Sequence, residues 1–199
     1  MKLFMVCNEC VRKFPAIPFE IVSIGVRNDG LYEFTCSKGH KSVTCLQQQK
    51  FEILFEIGAH AILDGYYREA VSSFSASLER FYEFYVKVIC LSRGIADDAI
   101  EESWKKVFEQ SERQLGAFIC LHLIETGHPP TILSDSSRGF RNKVIHKGLI
   151  PERQEAVEYG QEVLDLIVPV LANLKTNHNR EIQEMVTKGE QNNKLPVLV

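Results

Sequence analysis

Four potential metal ligands near the N-terminus constrain the fold of this chain more than any other feature. Two residues separate Cys7 from Cys10, and three separate Cys36 from His40. A two-residue spacing lets one backbone turn direct both sulfur atoms at a single ion, and Gly39 permits a tight turn before His40. The set predicts one tetrahedral Zn²⁺ ion, which is structural because protein ligands fill all four positions.

The segment between these two ligand pairs is rich in β-forming residues. Phe19–Thr35 contains two short runs that flank Asn28-Asp29-Gly30, and an Asp-Gly pair supplies the positive φ angles of a tight hairpin turn. An isolated hairpin is marginal in water, so we expect the metal ion to hold it. Residues 1–45 therefore resemble a zinc ribbon. A four-cysteine ribbon has cysteine where this chain has His40, and Cys45 is an alternative ligand.

After Cys45 the hydrophobic pattern changes to the 3.6-residue period of amphipathic α-helices. The longest such pattern covers residues 66–92. Pro169 is expected to kink the last helix. The predicted helices cover residues 46–63, 66–92, 97–109 and 113–125, then run from Ser134 or Asp135 to a stop at Gly148, and from a first turn at Pro151 onward.

These patterns predict a mainly helical chain with a small N-terminal β-hairpin. A zinc-ribbon-like module occupies residues 1–45, and a helical domain of five or six helices occupies residues 46–186. From Thr187 the helical period is lost, so residues 187–199 are expected to form a mobile tail.

Charge and hydropathy exclude several classes of protein. The chain has 23 Lys and Arg against 26 Asp and Glu, a net charge of −3, so any contact with a polyanion must be local. The longest apolar stretch, Leu164–Leu174, is interrupted by Asp165 and Pro169, and no membrane-spanning helix is expected.

The apolar stretch Leu3–Val6 is too short for a secretory signal, and the cysteines do not form a disulfide scaffold. A cytoplasmic location is therefore predicted.

Several reactive or aromatic side chains lie inside apolar helical patterns. His60 and His122 are interpreted as packed residues, and Cys90 and Cys120 as small buried hydrophobes. An aromatic run in the longest helix is assigned to packing rather than to base stacking. The run comprises Phe74, Phe81, Tyr82, Phe84 and Tyr85.

A local basic segment stands out in this acidic chain. Residues 138–148 contain five cationic or imidazole side chains and no acid. Within the segment, Arg141 is followed at once by Asn142 and, after four intervening residues, by His146. This pattern, late in a helical domain, resembles the HEPN superfamily over roughly residues 46–185. Members of that superfamily are commonly metal-independent ribonucleases whose paired motifs meet across a homodimer interface.

The resemblance implies an endoribonuclease of the toxin or defence type. RNA is the expected substrate, and an antitoxin or other protein is a possible partner. A neutral imidazole at His146 would take the proton of a ribose 2′-OH, and the Arg141 guanidinium would stabilise charge on the phosphate. Asn142 and His146 share a helix face, but Arg141 lies about 140° away from His146 around the helix. A long Arg141 side chain that reaches round the helix end, or a second copy from a twofold partner, would complete the site, and in this interpretation the dimer is a chemical requirement.

Other interpretations of the same residues stay open. Arg141 could pair with a carboxylate on the 66–92 helix, such as Glu79 or Glu83, and His146 could cap carbonyls at a helix end. Glu79 could equally orient Arg141 for function. The domain could also be a non-catalytic module that binds RNA or a nucleotide while the ribbon docks a partner, or a structural adaptor.

Overall fold

The computed structural model describes residues 2–13 and 21–192, which divide into two compact units. The described residues up to Gln48, with those from Val186, form the first unit, and Gln49–Met185 form the second. No helix in these residues is both long and apolar enough to cross a bilayer. The elements are β1 (Lys2–Val6), α1 (Asn8–Lys13), β2 (Ile21–Gly25), β3 (Leu31–Thr35), β4 (Lys41–Cys45), α2 (Lys50–Leu63), α3 (Tyr67–Ser92), α4 (Asp97–Trp104), α5 (Ser111–Thr126), α6 (Asp135–Lys147), α7 (Arg153–Asn177) and α8 (Asn179–Asn192).

The expectation of a mainly helical chain with a small N-terminal hairpin is confirmed, but the predicted hairpin pairing is wrong. β1 pairs antiparallel with β2, and β3 pairs antiparallel with β4, so the two runs beside Asn28-Asp29-Gly30 belong to different sheets. The turn itself forms, with Gly30 at φ 65°. The backbone N–H of Arg27 donates to the hydroxyl of buried Tyr32 at 3.0 Å, which holds this turn over β3. Residues 19 and 20 lie outside the described residues.

Several helix ends fall where the sequence places them. Ser134 caps α6 by accepting from the N–H of Ser137, and left-handed glycines end α5 at Gly127 and α6 at Gly148. α7 begins at Arg153 rather than at Pro151, because Glu155 accepts from the N–H of Glu152.

The later part of the chain differs from the sequence pattern. The helix α4 ends at Trp104, short of the predicted residue 109. Pro169 lies inside α7, which runs to Asn177. The segment from Thr187 is helical as far as Asn192, and residues 193–199 lie outside the described residues.

The core of the second unit is built around α3. Half of the 26 residues of this helix are buried, and α2, α4, α5, α6 and α7 all contact it. The aromatic run predicted to pack does so: its rings are 1–6% exposed and stack on Phe51, Phe55 and Phe118. A helix with so broad an apolar face is stable only when other helices cover that face.

The prediction for the isolated histidines and cysteines is partly wrong. His60 and Cys120 are exposed, while His122 and Cys90 are half-buried. The ring of His122 stacks on Tyr85 at a centroid distance of 5.8 Å. Outer helices such as α2 and α5 bury only one stripe, so residues beside that stripe stay in solvent although the local sequence is apolar.

The ring of Phe74 on α3 is held between two glycines on neighbouring helices. A Cβ atom at Gly58 of α2 would lie 2.6 Å from Cε1 of Phe74, and one at Gly160 of α7 would lie 2.6 Å from Cε2. Both helices therefore approach α3 as closely as they do because these positions lack side chains.

We predict that Gly160→Ala destabilises the protein by about 1–3 kcal/mol, because the methyl group overpacks the Phe74 ring. Gly116→Ala is the matched control, since it also lies in a helix but a Cβ atom there meets nothing within 4 Å. That change is expected to stabilise the protein by about 0.5–1 kcal/mol. Urea unfolding followed by circular dichroism measures both, and equal effects would contradict the packing argument.

Candidate functional site

Cys7, Cys10, Cys36 and His40 converge in the first unit, and their potential ligand atoms all lie within 4.8 Å of one another. The Sγ atom of Cys10 lies 3.7 Å from Sγ of Cys36 and 3.3 Å from Nδ1 of His40. The Nδ1 atom lies 3.6 Å from Sγ of Cys36 and 3.9 Å from Sγ of Cys7. With metal bonds of about 2.3 Å to sulfur and about 2.0 Å to nitrogen, tetrahedral edges measure about 3.8 Å between two sulfurs and about 3.5 Å between sulfur and nitrogen. The cluster thus has the size of a tetrahedral metal site.

Two short turns build this cluster. Cys7 and Cys10 lie where β1 passes into α1, and the N–H of Val11 donates to the carbonyl of Cys7 at 3.0 Å. Cys36 and His40 lie in the connection between β3 and β4, where the N–H of Gly39 donates to the carbonyl of Cys36 at 2.9 Å. Gly39 has a φ of 78°, which explains why glycine precedes His40.

The sulfur atoms of the cluster are buried and close together. Ser42 donates to Sγ of Cys7 at 3.5 Å, and hydrogen bonding led by this hydroxyl lowers the pKa of Cys7 to about 6. Burial, with the neighbouring Cys36 and Cys7, raises the pKa of Cys10 to about 11. Crowding thiolates in a buried space is unfavourable without a cation, and a metal ion removes that repulsion.

Cys45, the alternative ligand, is not part of the cluster. It is the last residue of β4 and is half-buried, with Sγ 3.8 Å from the carbonyl of Leu46. The buried cluster of Cys7, Cys10, Cys36 and His40 could hold a metal ion with protein atoms alone, which is the arrangement of a structural site rather than of a catalytic one.

Arg141 lies on α6 in the second unit and faces α3. Its guanidinium donates to Oε1 of Glu79 at 2.8 Å and to Oδ1 of Asn142 at 3.1 Å. Both members of the ion pair are largely covered, with side chains 23% and 28% exposed. Glu79 was a candidate partner of Arg141 from the sequence, and the structure shows that contact. Glu83 pairs instead with Arg80 and Lys87.

The other two motif residues are exposed. Asn142 and His146 are one turn apart on the outward side of α6, and the imidazole of His146 has no hydrogen-bond or ion-pair partner among the described residues. The backbone of His146 lies in the last turn of α6, but Gly148, not this side chain, satisfies the helix end. Within one chain, Arg141 and His146 therefore project in different directions, as their spacing around the helix predicts.

A cavity of about 390 Å³ adjoins Arg141. It lies between α3, α5, α6 and α7. Its polar lining includes Glu79, Arg141 and Asn142, and also Tyr82 and Tyr159, which the sequence reasoning did not assign to a site. Tyrosines within apolar helical patterns give the same sequence signal as core residues, so no local pattern distinguishes them.

With this geometry defined, the chain was compared with known proteins. No protein-family model matches it, and neither does any curated protein or solved structure.

We predict that a strong chelator unfolds the strands of the first unit and leaves the helices of Gln49–Met185 intact. The strands bury few apolar residues, so the ligand cluster supplies most of their stability. Amide signals of residues 2–13 and 21–45 should lose dispersion in a two-dimensional NMR spectrum. Unchanged signals after verified metal removal would contradict this role for the cluster.

Matched cysteine variants test the ligand set. Cys36→Ser should reduce the bound metal, measured by elemental analysis, from about one ion per chain to well below half. Cys45→Ser should retain the full amount because Cys45 lies outside the cluster. Loss of metal from Cys45→Ser as well would place Cys45 among the ligands and contradict the cluster.

Proposed function

We propose that the chain is a metal-independent endoribonuclease of the HEPN type, with the toxin or defence role that this class implies. The observation that carries the proposal is the arrangement on α6. Arg141 is fixed by Glu79, while Asn142 and His146 are exposed one turn apart and His146 has no partner among the described residues. An exposed imidazole with no structural partner is free to exchange a proton with a substrate.

The cleavage step uses these groups in definite roles. His146 removes the proton from a ribose 2′-OH, the 2′ oxygen bonds to the adjacent phosphorus, and the bond from phosphorus to the 5′ oxygen breaks. His146 of a second copy, protonated, donates its proton to the leaving 5′ oxygen. The products are a 2′,3′-cyclic phosphate and a 5′-hydroxyl end.

Arg141 has donors to spare for this step. A guanidinium carries five N–H donors, and the bonds to Glu79 and Asn142 occupy two of them. The others can contact a phosphate oxygen, and the ion pair fixes the orientation of the guanidinium before substrate arrives. Because Arg141 and His146 diverge within one chain, the proposal requires a homodimer.

The first unit has a supporting role in this proposal. We propose that Cys7, Cys10, Cys36 and His40 hold structural Zn²⁺ and that the resulting ribbon docks RNA or a protein partner such as an antitoxin. The exposed cations Arg12 and Lys13 of α1 both pair with Glu9, at 2.9 and 3.1 Å, so they offer a phosphate only part of their charge.

A second candidate is a non-catalytic module that binds RNA or a nucleotide. The cavity beside the Arg141–Glu79 ion pair favours it, since this site is formed within one chain and excludes His146. A cavity of about 390 Å³ is within the usual range for small-molecule sites.

Cleavage of end-labelled single-stranded RNA in EDTA separates the two candidates. We expect the parent protein to leave 2′,3′-cyclic phosphate ends, and His146→Ala to cut at least about 100-fold more slowly because it lacks the general base. His60→Ala is the matched control, because His60 is also an exposed histidine near the end of a helix. Equal cutting by both variants would reject the proposal.

Binding of the same RNA by Arg141→Ala provides the complementary measurement. Loss of a charged contact to phosphate should weaken binding by about tenfold. If the parent protein binds RNA tightly, if that binding depends on Arg141, and if no fragments form, the domain is a binding module rather than a ribonuclease. If neither binding nor cleavage occurs, both candidates fail.

A further inference from the structure

The cavity beside Arg141 has the composition of a ligand site rather than of a packing defect. Its walls include four aliphatic side chains, and its polar groups converge from four helices. Engineered packing defects in protein cores are lined by apolar groups and stay dry, whereas small-molecule sites combine apolar walls with a few placed polar atoms. The aliphatic residues are Leu78, Leu115, Ile132 and Leu133.

Tyr82 supplies the observation that points to an occupant. Its side chain is only 6% exposed and lines the cavity, and its hydroxyl makes no hydrogen bond to a described residue. Among the described residues, the unpartnered polar side-chain atoms sealed from solvent are the Tyr85 hydroxyl and the Trp104 indole nitrogen. The Tyr82 hydroxyl is therefore not sealed, and the open space that it reaches is the cavity. Its hydrogen bond is therefore available to whatever occupies the cavity.

The groups around the Tyr82 hydroxyl determine which hydrogen bonds a ligand in the cavity can make. Burial, with nearby Tyr159 and Glu79, raises the pKa of Tyr82, so it remains a neutral donor. The hydroxyl of Tyr159 is already paired with that of Ser75 at 2.9 Å. Oε1 of Glu79 accepts a hydrogen bond from Arg141, and Oε2 accepts none from a described residue. The interior thus offers the Tyr82 hydroxyl as a donor and both oxygens of the Glu79 carboxylate as acceptors, because Oε2 is free and Oε1 keeps a lone pair beside its bond to Arg141.

One nucleobase presents the complementary edge. Guanine carries two adjacent donors, N1–H and the N2 amino group, beside the acceptor O6. The carboxylate of Glu79 would take the donors, and Tyr82 would donate to O6. Adenine and cytosine place an acceptor at the position facing the carboxylate, and uracil offers a single donor there, so each of them leaves a cavity group unpaired or repelled.

The rim matches the rest of a nucleotide. Arg138, Arg141 and Asn142 line the cavity from α6, the helix that also carries His146. Arg138 is ion-paired with Asp135, and Arg141 with Glu79, while Glu112 of α5 also lines the cavity, so the rim offers a phosphate oriented N–H donors from α6 without a net positive field. A base seated in the cavity would leave its phosphate on the α6 side.

We propose that the cavity is a guanine-binding pocket that receives one unstacked nucleotide of a single-stranded RNA. This inference rests on the proposed function for the identity of the substrate, and it adds a sequence preference to it. Single-stranded RNA is read in this way elsewhere, with a splayed base hydrogen-bonded on its Watson–Crick edge.

Calorimetric titration of the full chain with each of GMP, AMP, CMP and UMP tests the pocket without requiring cleavage. GMP should bind at least about tenfold more tightly than the other three, because each of them loses a hydrogen bond to a buried group. Tyr82→Phe should weaken GMP binding about fivefold to tenfold. Tyr85→Phe is the matched control, since it removes another buried, unpartnered hydroxyl from α3 outside the cavity lining, and it should change nothing.

Cleavage mapping on a mixed RNA pool completes the test. Cuts should cluster beside guanine in the parent protein and lose that preference in Tyr82→Phe. Equal binding of all four nucleotides, no binding of GMP, or equal losses in Tyr82→Phe and Tyr85→Phe would overturn the pocket assignment. GMP selectivity without any cleavage would support the pocket and reject the ribonuclease. His146-dependent cleavage without GMP selectivity would support the ribonuclease and reject the pocket.

Discussion

The packing around α3 is the constraint on which the second unit depends. This helix has a broad apolar face that α2, α5, α6 and α7 cover, and glycines on two of them admit the Phe74 ring. Polar residues of α3 beside that face then acquire fixed positions. Glu79 meets Arg141 of α6, and Tyr82 meets the cavity beside it. A helix that organises the core therefore also supplies half of the candidate site.

The first unit depends on its ligand cluster for stability rather than on an apolar core. Its two-stranded sheets are too small to bury a core, and the buried residues around its ligands are largely the ligands themselves. Because Cys7 and Cys10 come from one turn and Cys36 and His40 from another, a bound ion would tie together segments far apart in sequence. This arrangement also explains the strand pairing, since the turn between Cys36 and His40 joins β3 to β4.

Sequence periodicity predicted the helices because each signal is local, and the ligand spacing predicted the metal cluster for the same reason. The predicted hairpin pairing was wrong because an Asp-Gly turn specifies a change of chain direction but not which strands then pair. His60 was assigned to the core because an apolar neighbourhood does not reveal which stripe of α2 is covered. Tyr82 was assigned only to packing, and the cavity that it lines forms between helices distant in sequence.

In the proposed ribonuclease, one cleft needs His146 from two copies of the chain. Adding His146→Ala protein to a fixed amount of the parent, with time for subunits to exchange, tests it directly. With a tenfold excess of the variant, RNA cleavage by the parent chains should fall to about a tenth, since nearly all of them then have an inactive partner. Cleavage that stays constant at every ratio would show that each chain carries a complete site and would contradict the composite cleft.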